Sequence, residues 1–182
     1  MAYRPIVAVR TLSGTGFPAQ DRWGEKAHLT MPQGVPLMLS GGYVLEADFS
    51  GGASVVAGVS VEPAHNLDTD ATAKYSSEGT PPNQSSAVIT PVGAWIKDGT
   101  MGFYLADGRN VFLISLKSGQ TFDATKNGGG PYSLIKDGTT GFWYLDYTAT
   151  GANASVAIPV DGVSDDNTLV LFQFKSTQRT FA

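Results

Sequence analysis

The chain contains two histidines, His28 and His65, and no cysteine, which bounds the nucleophilic and metal chemistry it could support. A hydrolytic triad needs a base beside an activated nucleophile, and no serine stands in a G-x-S-x-G elbow. Both histidines therefore read as polar or partly buried surface residues. Glycosidase chemistry needs two carboxylates, one kept protonated by burial. Glu46 and Glu62 lie inside strand-like runs and are the pair to test, although alternation equally sets them on a wetted face. Most other acids stand beside Gly, Asn or another acid, as Asp98, Asp107, Asp137, Asp161, Asp165 and Asp166 do, and turns account for them. Asp68-Thr69-Asp70 and Asp165-Asp166-Asn167 offer hard oxygen ligands but do not continue into EF-hand spacing. Gly51-Gly52 and Gly128-Gly129-Gly130 lack both phosphate-loop patterns and read as turns. The expectation is a protein without catalytic residues, cofactor or metal, whose work is contact.

One feature could serve a ligand. Trp95, Phe103, Tyr104, Phe142, Trp143, Tyr144 and Tyr147 cluster in the second half of the chain, and exposed rings stack on sugars. Trp95 and Trp143 are the candidate outward ligand face, as in a carbohydrate-binding or host-attachment module; core packing is the competing role for the same rings.

Twenty-two glycines and ten prolines cut the sequence into short runs that leave little room for long helices. The runs between breaks are β-branched and aromatic: Val35–Leu39, Tyr43–Ala47, Ser54–Val61, Ala87–Val92, Val111–Leu116, Gly141–Tyr147, Ser155–Val160 and Thr168–Phe174. They predict an all-β fold, a short-stranded sandwich or partly closed barrel, with an extended N-terminal arm. In the last run Val170, Phe172 and Phe174 share one face, yet Leu169 and Leu171 are apolar too, so that strand should be covered on both sides.

Composition divides the chain into an arm (1–28), a small β-domain (29–66), a polar loop or linker (67–86) and a second β-domain (87–182). The last contains an echo: Ile96–Phe103 and Ile135–Phe142 match at seven of eight positions with an offset of 39 residues. Each Asp-Gly predicts a strand, a tight turn and a returning strand. The net charge of −4 is unevenly spread, since residues 1–28 hold four Lys/Arg against two acids. The acidic remainder lacks the basic clusters that track phosphates, so nucleic acid is not an expected partner. No run approaches the length of a membrane span, and no secretion leader is read at the N-terminus.

Met31–Ala64, MPQGVPLMLSGGYVLEADFSGGASVVAGVSVEPA, resembles the small β-domain of tailed-bacteriophage capsid decoration (cement) proteins. A Pro- and Gly-flanked strand is followed by Gly41-Gly42, the Tyr43-Val44 step, a polar turn and Val56-Ala57-Gly58-Val59-Ser60. The resemblance covers about a fifth of the chain, and the large second half departs from it. It implies a virion protein on the outer capsid surface whose partner is the major capsid protein, a homo-oligomer with a trimer favoured, and capsid stabilisation by bridging of neighbouring subunits. On that reading the arm carries the contact through Tyr3, Arg4, Ile6, Val7, Arg10, Phe17, Arg22 and Trp23.

Overall fold

A computed structural model describes residues 3–12, 16–40, 43–49, 55–67, 100–149 and 155–175. The fold is all-β, as predicted: the described residues form eleven strands and one 3₁₀ turn at Ala124–Lys126. In chain order the strands are β1 (Val7–Thr11), β2 (Gln20–Gly24), β3 (Pro36–Ser40), β4 (Tyr43–Glu46), β5 (Val56–Ser60), β6 (Thr100–Leu105), β7 (Asn110–Leu116), β8 (Tyr132–Lys136), β9 (Trp143–Asp146), β10 (Ser155–Gly162) and β11 (Leu169–Phe174). Seven of the predicted runs overlap a strand; the eighth, Ala87–Val92, lies outside the described residues.

The strands form two sheets, ordered β2-β6-β5-β3-β4 and β1-β7-β11-β10-β8-β9. The second closes on itself, because β9 pairs in parallel with the C-terminal end of β7 (Ser115↔Tyr144, Leu116↔Leu145). The first is drawn together by a parallel bridge between Glu25 and Val44, beside which Lys26 N–H donates to the Val44 carbonyl. With β1 set aside, the two sheets have the same topology. Numbered within each unit, both run first-fifth-fourth-second-third, every neighbouring pair is antiparallel, and first meets third in parallel.

The registers agree as well. Trp23↔Met101 corresponds to Ile114↔Val170, Gly58↔Leu105 to Ala157↔Phe174, and Leu37↔Gly58 to Tyr132↔Ala157. Leu39↔Val44 then corresponds to Leu134↔Leu145, and the closing contact Glu25↔Val44 to Leu116↔Leu145. A register shift falls at the same place in each unit, at Ala57 and at Val156, so even the bulge is shared. The described residues thus fall into two five-stranded units of one topology, in tandem along the sequence.

β6, which follows the polar stretch in sequence, pairs with β2 and β5 and so belongs to the first barrel; residues 68–99, which hold most of the expected linker, lie outside the described residues. The echoed octapeptides also occupy unlike places. Thr100–Phe103 lie in strand β6 and are buried, whereas Thr139 and Thr140 sit exposed in the connection from β8 to β9, with Gly141 at φ 73°. The second copy does make a strand, a turn and a returning strand, paired from Lys136↔Trp143; Ile96–Gly99 lie outside the described residues.

One core serves both barrels, with Trp23, Leu37, Val44, Met101 and Phe103 from the first and Phe112, Ile114, Leu116, Leu145, Phe172 and Phe174 from the second. Asn110 ties the barrels at the short β6–β7 turn: its side chain accepts from Ala19 N–H and donates to the carbonyls of Ala19 and Leu105. As expected for β11, Val170, Phe172 and Phe174 are buried on one face; on the other Leu169 is buried and Leu171 half-buried. The turn acids do as turn chemistry predicts, since Asp137 and Asp166 each accept from a following threonine's N–H and hydroxyl.

Candidate interaction surface

Most of the N-terminal segment is built into the body. β1 pairs with β7 along Val7↔Leu113 to Thr11↔Asn110, occupying the half of the β7 edge that β9 leaves open. β2 is the first strand of the first barrel. Ile6 is 1% exposed, and its N–H donates to the carbonyl of Gly34, whose positive φ and close packing under Pro5 leave no room for a Cβ. Trp23 is 2% exposed, with its ring edge on Phe103 and its indole N–H on Asp21. Ile6 and Trp23 are therefore core residues, which corrects their assignment to a capsid contact: burying them inside the chain satisfies the same apolar surface.

The remaining arm residues differ in availability. Tyr3 stacks on Tyr144 at 4.6 Å, and its hydroxyl accepts from Ser118 N–H. Arg22 lies against Glu62 at 2.7 Å and donates to the Thr100 carbonyl, over a Gly102 that leaves space for the guanidinium. Arg4 and Arg10 are exposed, reaching Asp166 and Asp161 at 3.9 and 3.6 Å. Phe17 is 97% exposed. Sequence reasoning missed its neighbours: Val9, the residue left over in the β1 bulge, and Leu12, just past the strand, are 43% and 59% exposed. The apolar run Ile6–Val9 was the available signal, but only pairing decides which of its members face out. Among the described residues, three of the four exposed large hydrophobic side chains fall between Val9 and Phe17.

Beside this segment is a notch. Arg4, Pro5 and Val7 border a cavity of roughly 190 Å³ beside β7 whose walls are the carbon of Pro5, Val7, Leu113 and Leu169, with Arg4 and Ser115 also lining it. Leu113 and Val7 stand opposite one another in the ladder, which puts both on one face of the sheet.

Of the candidate ligand face, Trp143 is corrected: it is 5% exposed, edge-on to Phe49 at 5.4 Å and donating its indole N–H to Glu46, so it joins the two barrels instead of offering a platform. Trp95 lies outside the described residues. Glu46 is engaged by Trp143 and Lys136, and Glu62 by Arg22 and Gly102 N–H, with no partner in common. Asp68, Asp70 and Gly51-Gly52 are likewise outside the described residues. Among the described residues no three His, Asp or Glu side chains gather as a metal-binding group, and no helix is long and apolar enough to cross a membrane.

Two buried acids have structural partners. Glu25 is fully buried at the position that Leu116 fills in the second barrel; it accepts from His65 N–H at 2.8 Å and faces His65 Nδ1 at 2.6 Å. Asp146 is met by Lys117, Gln120 and Thr148. Burial opposes the Asp146 charge, but these hydrogen bonds prevail and hold its carboxyl well below the usual carboxylate range, while the bond to Asp146 raises the Lys117 ammonium. Burial pushes the neighbouring Tyr147 phenol up to about 12.

No family model, no curated protein and no solved structure matches the chain.

Proposed function

We propose that the protein is a non-enzymatic structural component of a phage virion that binds the outer capsid surface and stabilises it by bridging neighbouring capsid subunits. The observation that carries this reading is the concentration of exposed apolar side chains on β1 and the segment after it, held on a rigid double barrel. Isolated exposed apolar residues need no explanation, but a string of them on a pinned edge strand suits a protein surface. The exposed guanidinium groups of Arg4 and Arg10 flank the string and favour an acidic rim on the partner, giving salt-sensitive association. Repetition over many capsid sites makes a modest single contact sufficient.

Deleting the arm would not test this, because it would remove β1 and β2 and open the first barrel. The test is co-sedimentation of the full chain with purified capsids, comparing wild type with Val9→Ser/Leu12→Ser. Loss of two apolar contacts of about 1 kcal/mol each should weaken binding by roughly tenfold or more with melting unchanged. Undiminished binding by the variant would overturn the assignment of this surface, and failure of the wild type to co-sediment would overturn the capsid reading.

A further inference from the structure

Phe17 and the notch are complementary features at two places on one molecule. An exposure of 97% means that the Phe17 ring makes almost no contact within its own chain. The notch, at roughly 190 Å³, has walls of Pro5, Val7, Leu113 and Leu169 carbon, and an apolar cavity of about 150 Å³ is enough to take a benzene ring. Charge agrees with shape. Arg4, 68% exposed, lines the opening, where its guanidinium would meet the face of an incoming ring. Residues 11–21, which carry Phe17, contain no Lys or Arg and one acid, Asp21.

We infer that the notch bordered by Arg4, Pro5 and Val7 takes the Phe17 ring of a second copy of this chain, so that copies associate through a ring-in-notch contact. The contact draws on Phe17 and Arg4, which the surface proposed above also includes, but not on Val9 or Leu12, so the two readings are tested by different substitutions. Its area sets its strength: one aromatic ring buries on the order of 150–250 Å², far short of the roughly 1,200 Å² of a stable interface. Association in free solution is therefore weak and rises with concentration, and it becomes substantial where copies are held side by side.

Sedimentation equilibrium of the full chain from about 10 μM to 1 mM, a range that brackets a weak contact, tests this. Wild type should show concentration-dependent association. Phe17→Ser, which removes the ring, and Leu113→Trp, which fills the notch, should each sediment as monomers while melting as wild type does. An equimolar mixture of the two should associate again, because one variant keeps the notch and the other keeps the ring. Val9→Ser/Leu12→Ser should associate like wild type whether or not it binds capsids. A wild type that stays monomeric to 1 mM, a Phe17→Ser or Leu113→Trp protein that associates undiminished, or a mixture that fails to recover would each overturn the inference.

Discussion

Replacing His65 with alanine removes the imidazole that stands 2.6 Å from a fully buried carboxylate oxygen of Glu25. The backbone N–H of residue 65 still donates to the other oxygen, so Glu25 is left half-satisfied. Breaking a buried pair by deleting one partner costs about 3–5 kcal/mol. His65 is itself 42% exposed, so water can follow the lost ring to the carboxylate, and the expected loss falls to roughly 2–3 kcal/mol. For a chain of this size each kcal/mol lowers the melting temperature by about 2–4 °C, which gives a fall of roughly 4–12 °C. The second barrel supplies the control. Leu116 occupies the equivalent position, fully buried, so Glu25→Leu/His65→Ala exchanges the ionisable pair for the solution that barrel already uses. The double variant should regain wild-type stability or exceed it, as replacement of buried ionisable pairs by apolar residues often does. Urea unfolding followed by tryptophan fluorescence, with Trp23 close to the site in sequence and in the core, reads both variants. A His65→Ala protein within about 0.5 kcal/mol of wild type, the ordinary scatter of surface substitutions, would refute the argument, and so would a double variant no more stable than the single one.

Gly58→Ala would place a Cβ 2.0 Å from the Tyr104 carbonyl oxygen and 2.7 Å from the Phe103 ring, so it should cost more than about 3 kcal/mol and show as lost soluble yield. Its counterpart Ala157 is already alanine, and Ala157→Gly should lose only about 1 kcal/mol in the same urea titration. Asp146→Asn should be less stable than wild type at neutral pH by roughly 1–3 kcal/mol, the range for hydrogen bonds to a charged group. Because the folded Asp146 carboxyl titrates below its unfolded value of about 3.9, its contribution is complete above that pH and disappears as pH falls toward the folded value. Wild type should accordingly lose its advantage over Asp146→Asn in unfolding curves taken from pH 4.5 downward, about where unfolded aspartate begins to protonate.

Strand identity was readable where apolar runs are bounded by turn residues, as in Val35–Leu39 and Val111–Leu116, because short-range pattern is the dominant signal there. β2 was not, since Gln20-Asp21-Arg22-Trp23-Gly24 lacks an apolar run; its polar members are satisfied by Thr100, Glu62 and one another, which only the fold reveals. The shared topology escaped notice because its signal is in pairing. Gly34 and Pro36 do stand where Gly129 and Pro131 stand, but the insertion before β6 breaks any constant offset, and the conspicuous octapeptide echo points elsewhere. In the candidate surface, exposed Phe17 was legible as an aromatic in a polar stretch, whereas Ile6 and Trp23 look the same in sequence and are separated from it only by what packs over them.

The unequal connections inside the two barrels set an order of events during synthesis. β7 to β11 emerge consecutively, and the link between β10 and β11 is a short turn, so the second barrel can zip locally once its last strand is out. The first barrel must hold β2 to β5 open until β6 arrives from beyond the long excursion, when Gln20 at last meets Tyr104. Non-local closure of this kind is slow, and its exposed strand edges invite pairing between nascent chains. β1 sharpens the hazard, because its partner β7 is made later still. Folding yield should therefore be governed by how well the half-made first barrel is shielded, and a chaperone that engages the first hundred or so residues would do more for it than any gain in final stability.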